Sequence, residues 1–425
     1  MSKNLPVDWS KNLTIYEVNL RQYTKSGSFK DFEIHLPRLQ QLGIGIIWFM
    51  PVQPIGIKER KGNLGSYYSI SDYKAVDPVY GSMEEFIALV EKIHSMGMYV
   101  ILDWVANHTA WDNILTVDHP EYYVLDENGN FKPPFKEWAD VIKLDYNKRE
   151  LREYMVNCMK FWVETTGIDG FRCDMANLVP TDFWQYAHKE LFKVKPLFML
   201  AEAEQQELLF GAFDAIYNWN LFHTFDHIAK GEKSVWDLTS MIDKEIFQFP
   251  EHAYQMMFIS NHDENSWNGS ELERLGHGLE AFAVLYFTLT GIPLIYSGQE
   301  AGNPKRISFF EKDEIEWKED KMFPLYSKLI SFKKETEALW SGPYGGELIL
   351  LDTQNGYNTI SYIRQKGESR VFAVINLSGY HQFAHIHDNR IEGYYNDLFN
   401  DDKYTIFDDY YFTLGPWEYK ILKGI

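Results

Sequence analysis

Over about the first 340 residues, short apolar runs alternate with longer stretches whose apolar positions recur every three to four residues. The runs Thr14–Leu20, Ile44–Met50, Tyr99–Asp103 and Gly170–Cys173 predict strands, as do Leu197–Ala201, Phe213–Tyr217, Met256–Ser260 and Ile292–Ser297. Several are apolar without interruption, the pattern of strands buried on both faces of a parallel sheet. Between them, Met83–Met96 is apolar at Met83, Phe86, Ile87, Val90 and Ile93 and stops at Gly97. Leu151–Thr166 has the same helical period and stops at Gly167, a residue suited to close a helix. Strands and helices in alternation predict an α/β fold, a (β/α)8 barrel over residues 1–340. Such a barrel keeps its chemistry at the C-terminal strand ends. The residues there are Arg21, Pro51, Asp103 with Asn107 and His108, Asp174, Glu202, Trp219, His262 with Asp263, and Gly298 with Glu300.

Two segments break the alternation. Residues 109–146 carry Asn128-Gly-Asn130 and Pro133-Pro134 and are too long for a bare connecting loop, which predicts a small subdomain inserted after the third strand. Beyond Leu339, the break Gly342-Pro-Tyr-Gly-Gly346 precedes the short runs Glu347–Leu351, Thr359–Arg364, Val371–Ile375, Gln382–Ile386 and Trp417–Leu422. Close spacing with turn residues between them predicts an antiparallel C-terminal β-sandwich over residues 341–425.

Composition narrows the function. The chain has 425 residues, with 61 acidic against 41 basic side chains and a formal charge of −20, which excludes a nucleic-acid partner. At 45% apolar and 24% charged it reads as globular. The longest apolar-looking run, Ala281 to Tyr296, is interrupted by Thr288, Thr290, Gly291 and Pro293, so no membrane span is expected. Two cysteines, Cys158 and Cys173, make no disulfide framework. With no signal-like stretch in Met1 to Trp9 they predict a cytoplasmic protein, and a secreted or periplasmic chain trimmed of its leader reads the same way. Oligomeric state has no signature in the sequence. Aromatic residues make up 16%, and their faces suit the C–H surfaces of sugars.

Three acids, Asp174, Glu202 and Asp263, each close a predicted strand. Cleavage of a sugar acetal needs an ionised carboxylate and a protonated carboxyl flanking the bond. Arg172 shares a strand face with Asp174 and predicts an ionised nucleophile there. Glu202 is then the expected proton donor, preferred over Glu204, which lies further from the strand end. A lone acid at a strand end is ordinarily a cap or an ion-pair partner. His108 alone reads as structural, and Trp104, Trp111, Trp219 and Trp267 read as core or rim. The convergence of several such ends in one barrel favours chemistry. Asp103 and His108 lack a further ligand at a spacing that suits zinc, and no phosphate-binding glycine loop or Gly-Xaa-Ser-Xaa-Gly is present.

Asp103-Trp-Val-Ala-Asn107-His108, Gly170-Phe-Arg172-Cys-Asp174, Glu202 and Asn261-His262-Asp263 stand in an order that resembles the α-amylase family, glycoside hydrolase family 13. The resemblance covers the barrel, the insertion and the C-terminal domain. It implies a retaining hydrolase of α-1,4-glucosidic bonds in starch-derived glucans or maltooligosaccharides. In it Asp174 is the nucleophile, Glu202 the acid/base, and Asp263 holds sugar hydroxyls in the transition state. It further implies that Tyr68, His108, Arg172 and His262 bind the sugar at the cleavage point. No cofactor is required, and calcium at Asn107 and Asp145 is a subsidiary expectation. The chain departs from many relatives in having Asn177-Leu178 for Lys-His, Ser69 for Asp, and Ala-Glu202-Ala-Glu for Glu-Xaa-Trp. The alternatives are an α-glucan transglycosylase or α-glucosidase with the same site and, from another class, a non-catalytic carbohydrate-binding or partner module.

Overall fold

The eight barrel runs and the insertion form ten strands in chain order: β1 (Ile15–Val18), β2 (Ile46–Phe49), β3 (Tyr99–Trp104), β4 (His108–Ala110), β5 (Val141–Lys143), β6 (Gly170–Cys173), β7 (Phe198–Ala201), β8 (Ala215–Tyr217), β9 (Tyr254–Met257) and β10 (Ile292–Tyr296). In this computed structural model, which describes residues 5–354 and 356–425, eight of them close into a barrel in the order β1-β10-β9-β8-β7-β6-β3-β2. The predicted (β/α)8 architecture is thus found. Its first-unit ladders are parallel and its strands almost wholly buried, which accounts for their uninterrupted apolar runs. Strand β9 starts and ends earlier than the run Met256–Ser260 suggests. Its ladder with β10 stops at Met257 opposite Pro293, which has no N–H to donate. The opening residues 1–4, on which the location expectation partly drew, lie outside the described residues.

Local sequence explains the helices. Met83–Ser95 begins with a capping box, Ser82 and Glu85 each accepting the other's backbone N–H, and buries Phe86, Leu89, Val90 and Ile93 on one face. Arg149–Thr166 ends at Gly167, left-handed at φ 75°.

By contact the chain falls into two compact units. Ile15–Tyr217 and Ile307–Glu316 belong to the first; Asp8–Thr14, Asn218–Arg306 and Trp317–Ile425 form the second. In the first, the insertion is a two-stranded antiparallel ribbon, β4 with β5, followed outward by bridges Tyr123–Leu144 and Leu125–Phe131.

The second unit holds the C-terminal strands β11 (Glu347–Leu350), β12 (Thr359–Lys366), β13 (Ser369–Asn376), β14 (Gln382–His387), β15 (Gly393–Asp397), β16 (Lys403–Ile406), β17 (Asp409–Leu414) and β18 (Tyr419–Gly424). One sheet has the order β11-β12-β13-β18-β15-β16 and the other pairs β14 with β17. Ile363, Phe372, Val374 and Leu422 of the larger sheet share a buried core with Ala384, Ile386, Phe412 and Leu414 of the smaller. Strands β15 to β17 escaped the apolar pattern because alternate positions face solvent, several of them tyrosines. Strand β18 begins two residues later than predicted, since Trp417 sits at φ 58° in the preceding turn.

Candidate active site

The first unit assembles its polar cluster from the ends of β2, β3, β6, β7 and β8. A Cβ on Gly170 would come within 1.9 Å of the Phe198 carbonyl, so only glycine permits this pairing of β6 with β7. The ladder carries on past the strand ends: Asp174 N–H donates to the Trp104 carbonyl (2.9 Å) and Glu202 N–H to that of Cys173 (3.0 Å). Both acids are thereby held at adjacent strand mouths, and both are buried.

Arg172 is the hub. Its Nη1 donates to both oxygens of Asp103 (2.9 and 3.1 Å) and to Asp174 Oδ1 (3.4 Å), and Nε donates to the Tyr217 hydroxyl (3.1 Å). Its Nη2 forms an ion pair with Glu202 Oε2 at 2.8 Å. Burial by itself pushes the guanidinium down, and the carboxylates of Asp103 and Glu202 outweigh it, holding the charge well above the ordinary range. Asp103 is itself gripped by Trp48 Nε1 (3.2 Å) and the Tyr68 hydroxyl (3.1 Å). The sequence put Arg172 beside Asp174, and the two are in contact. The shortest contacts of Arg172 are with Glu202 and Asp103, because its side chain spans the mouths of three neighbouring strands, whereas strand parity registers only its own.

Because Asp174 and Glu202 touch terminal nitrogens of one planar guanidinium, Asp174 Oδ1 lies within about 9 Å of Glu202 Oε2. That bound admits both the roughly 5–5.5 Å separation of retaining pairs and the roughly 6.5–9.5 Å of inverting ones. Met175, next to Asp174, has a left-handed backbone (φ 39°, ψ 49°), a conformation costing a non-glycine residue about 1–3 kcal/mol. It aims its N–H at Glu202 Oε2 (2.8 Å). Glu204 is exposed.

His108 is buried beside Trp138, 5.7 Å away and edge-on. Burial pushes its imidazole down to about 4, against the pull of Asp140, so the ring is neutral at pH 7. Asn107 Nδ2 lies 3.2 Å from His108 Nδ1.

In the second unit, Asn261, His262 and Asp263 follow β9. His262 is buried, its Nε2 lies 3.2 Å from Asp263 Oδ2, and Asn261 Oδ1 accepts the Glu264 N–H at 2.7 Å. Glu264–Asn268 is a short π-helical turn, a shape frequent at functional sites. Arg274 steadies the segment, pairing with Asp226 (2.6 Å) and donating to the Ile259 carbonyl.

Nothing among the described residues shows Asn107 and Asp145 gathered around a calcium. Asp145 Oδ1 is occupied by the Asn147 backbone and side chain (3.1 and 2.8 Å), and the Asn107 amide nitrogen faces His108. Calcium takes six to eight oxygens. Among the described residues no group of three or more His, Cys, Asp or Glu is arranged to hold a metal. No helix of the described residues is long and apolar enough to cross a membrane.

Sequence reasoning did not single out Trp48, Tyr217 or Met175. The first two have only a period-two signal, a polar tip on a buried strand face, and Met175 has none.

The family model for the alpha-amylase catalytic domain matches residues 19–129 and 134–323. A noncanonic maltogenic alpha-amylase from Thermotoga neapolitana is 32% identical, with TM-score 0.90 over 97% of this chain and 99% of its own. An alpha-amylase from Lactobacillus plantarum is 30% identical, with TM-score 0.88 over the same shares. An alpha-amylase of Dictyoglomus thermophilum is 24% identical over 93% of this chain and 74% of its own length. A family model spanning well over half the chain, and that identity across whole solved structures, make this chain a member of the alpha-amylase family, a glycoside hydrolase acting on α-glucans.

Proposed function

We propose that the protein hydrolyses α-1,4-glucosidic bonds of starch-derived maltooligosaccharides with retention at the anomeric carbon. Asp174 attacks C1 while Glu202 gives its proton to the leaving glycosidic oxygen, so the C1–O bond breaks as the Asp174–C1 bond forms. Water then adds to C1, surrenders a proton to Glu202 and releases Asp174. Asp263 holds sugar hydroxyls through the transition state. Tyr68 packs under the sugar, Arg172 keeps the two acids in register, and His108 contacts a sugar hydroxyl. His262 is placed by its motif among the sugar-binding groups.

The observation that carries this reading is one guanidinium touching Asp103, Asp174 and Glu202 together. The names of the relatives support the α-glucan substrate. Incubation with maltoheptaose, with the anomer of the first product followed by NMR, tests it. Short α-anomeric products are expected; an initial β-anomer overturns the retaining reading, and transfer products in excess at high acceptor concentration favour a transglycosylase.

A further inference from the structure

We infer that the loops after β1, β2 and β10 form a closed wall beside Tyr68, which ends the substrate groove on the side away from the leaving group. The enzyme then releases short oligosaccharides measured from the non-reducing end. This inference rests on the hydrolysis proposed above.

Three chain segments are knitted here, all in the first unit. Arg21, in the turn of helix just after β1, donates to the carbonyls of Gly65 (2.9 Å) and Phe309 (3.2 Å), and its guanidinium lies 3.9 Å from the Tyr67 ring centre. Gln22, wholly buried, donates to the carbonyls of Ser308 (2.8 Å) and Glu311 (2.6 Å) and accepts the Asp313 N–H (2.6 Å). From the β2 loop, Asn63 gives its backbone N–H and its side-chain amide to the two Glu311 oxygens (2.9 and 2.8 Å), and Leu64 N–H goes to the Phe310 carbonyl (3.0 Å). A Cβ at Gly62 would strike Phe310 Cβ at 2.6 Å, so the loops are already in van der Waals contact. On its other flank the β2 loop is tied to the insertion, Lys61 reaching Asp140 (2.9 Å) and the Glu137 carbonyl (2.6 Å).

Loop backbone whose polar groups are met by buried side chains has few ways to open. Phe309 stands 6.4 Å from Tyr68, ring to ring and 16° from parallel, which brings the β10 loop up against the aromatic assigned to the cleavage point. Direction follows from the barrel order. Strand β7, which ends in the proton donor Glu202, is separated from β1 by β6, β3 and β2, half of the ring. The departing sugar is protonated on the β7 side, so the retained part of the glucan runs toward the wall.

The test compares two substrates on the wild-type protein: maltoheptaose free, and maltoheptaose blocked at its non-reducing end by a 4,6-O-benzylidene group. We expect free maltoheptaose to yield one or two short initial products and the blocked sugar to be cut at least about tenfold more slowly. Equal rates with scattered cleavage overturn the wall and leave the hydrolase reading intact. No cleavage of either sugar overturns the hydrolase reading, and the wall with it. Glu311→Ala, which frees Asn63, is expected to raise the blocked-to-free rate ratio and lengthen the initial products. Should a thermal melt show that it does not fold, Asn63→Ala opens the same clamp from the facing loop. An unchanged ratio and product length in a folded variant overturns the wall.

Discussion

Arg172, at the mouth of the barrel, and Arg364, in β12 of the C-terminal domain, are both completely buried. Arg172 faces three carboxylates. Arg364 faces backbone: it donates to the carbonyls of Gly346 (3.1 Å), Thr288 (3.2 Å), Leu289 and Trp340 (3.4 Å), and among the described residues it forms no ion pair. Burial pushes Arg364 down to about 10, and Lys333, donating to Gly291 and Leu339 nearby, is pushed well down by burial and by the Arg364 charge. Two of the acceptors close the helix Leu279–Thr288, where the backbone dipole favours a cation. A buried cation is therefore no marker of a site by itself. Acids gathered around it suit bond cleavage; carbonyls gathered around it only tie chain segments together.

The sharpest way to break this contrast is to neutralise the acids. Asp174→Asn and Glu202→Gln are each expected to lower kcat on maltoheptaose by about 10³ or more, with melting temperature within a few degrees of wild type. A rate near wild type in either removes that residue from its role. Next come the arginines themselves. Arg172→Lys loses the planar fork and is expected to reduce kcat/KM by roughly 10²-fold. Arg364→Lys should leave kcat/KM within about twofold and lower stability by about 1–3 kcal/mol, since carbonyls lose their donors. Reversed outcomes in paired kinetics and thermal melts would erase the distinction.

Buried histidines sharpen it through pH. His108 and His188 are both pushed down to about 4 by burial, below the usual 6.5. The unfolded chain binds these protons first, so their stabilising effect is complete above pH 6.5 and drains away as pH falls toward 4. Urea unfolding at pH 7 and 4.5 should show that loss, and His188→Leu should lessen it by about 1–3 kcal/mol. The smallest effect has the opposite slope. Asp214, raised to about 7 by burial, favours the fold below pH 3.8 and loses that contribution as pH climbs through 7. Asp214→Asn should flatten this rise-dependent loss by about 1–2 kcal/mol in the same assay, provided the Met199 N–H contact (2.8 Å) persists through the amide oxygen.

The barrel was legible because strands buried on both faces leave unbroken apolar runs, and all eight runs became barrel strands. Positions such as Asp174 and Glu202 were legible because the fold restricts chemistry to strand ends. Strands β15 to β17 were not, since half of each faces water. Calcium at Asn107 and Asp145 gains no support from the structure, where the Asp145 carboxylate closes a turn with Asn147. Arg172 was expected beside Asp174 and touches it, but its closer contacts with Asp103 and Glu202 were not legible, because parity along a strand says nothing about the strands beside it.

Hydrophobic periodicity and four ordered motifs, read from the sequence alone, were enough to determine the fold class and the family and to nominate acids at strand ends, since local propensity and strand-end placement are properties of short segments. Tertiary structure alone decided which carboxylates share Arg172, that Met175 turns its N–H onto Glu202, and that the loops around Phe309 and Asn63 lock together. Those contacts join residues tens to hundreds of positions apart, and their strength depends on distance and burial, which no linear pattern encodes.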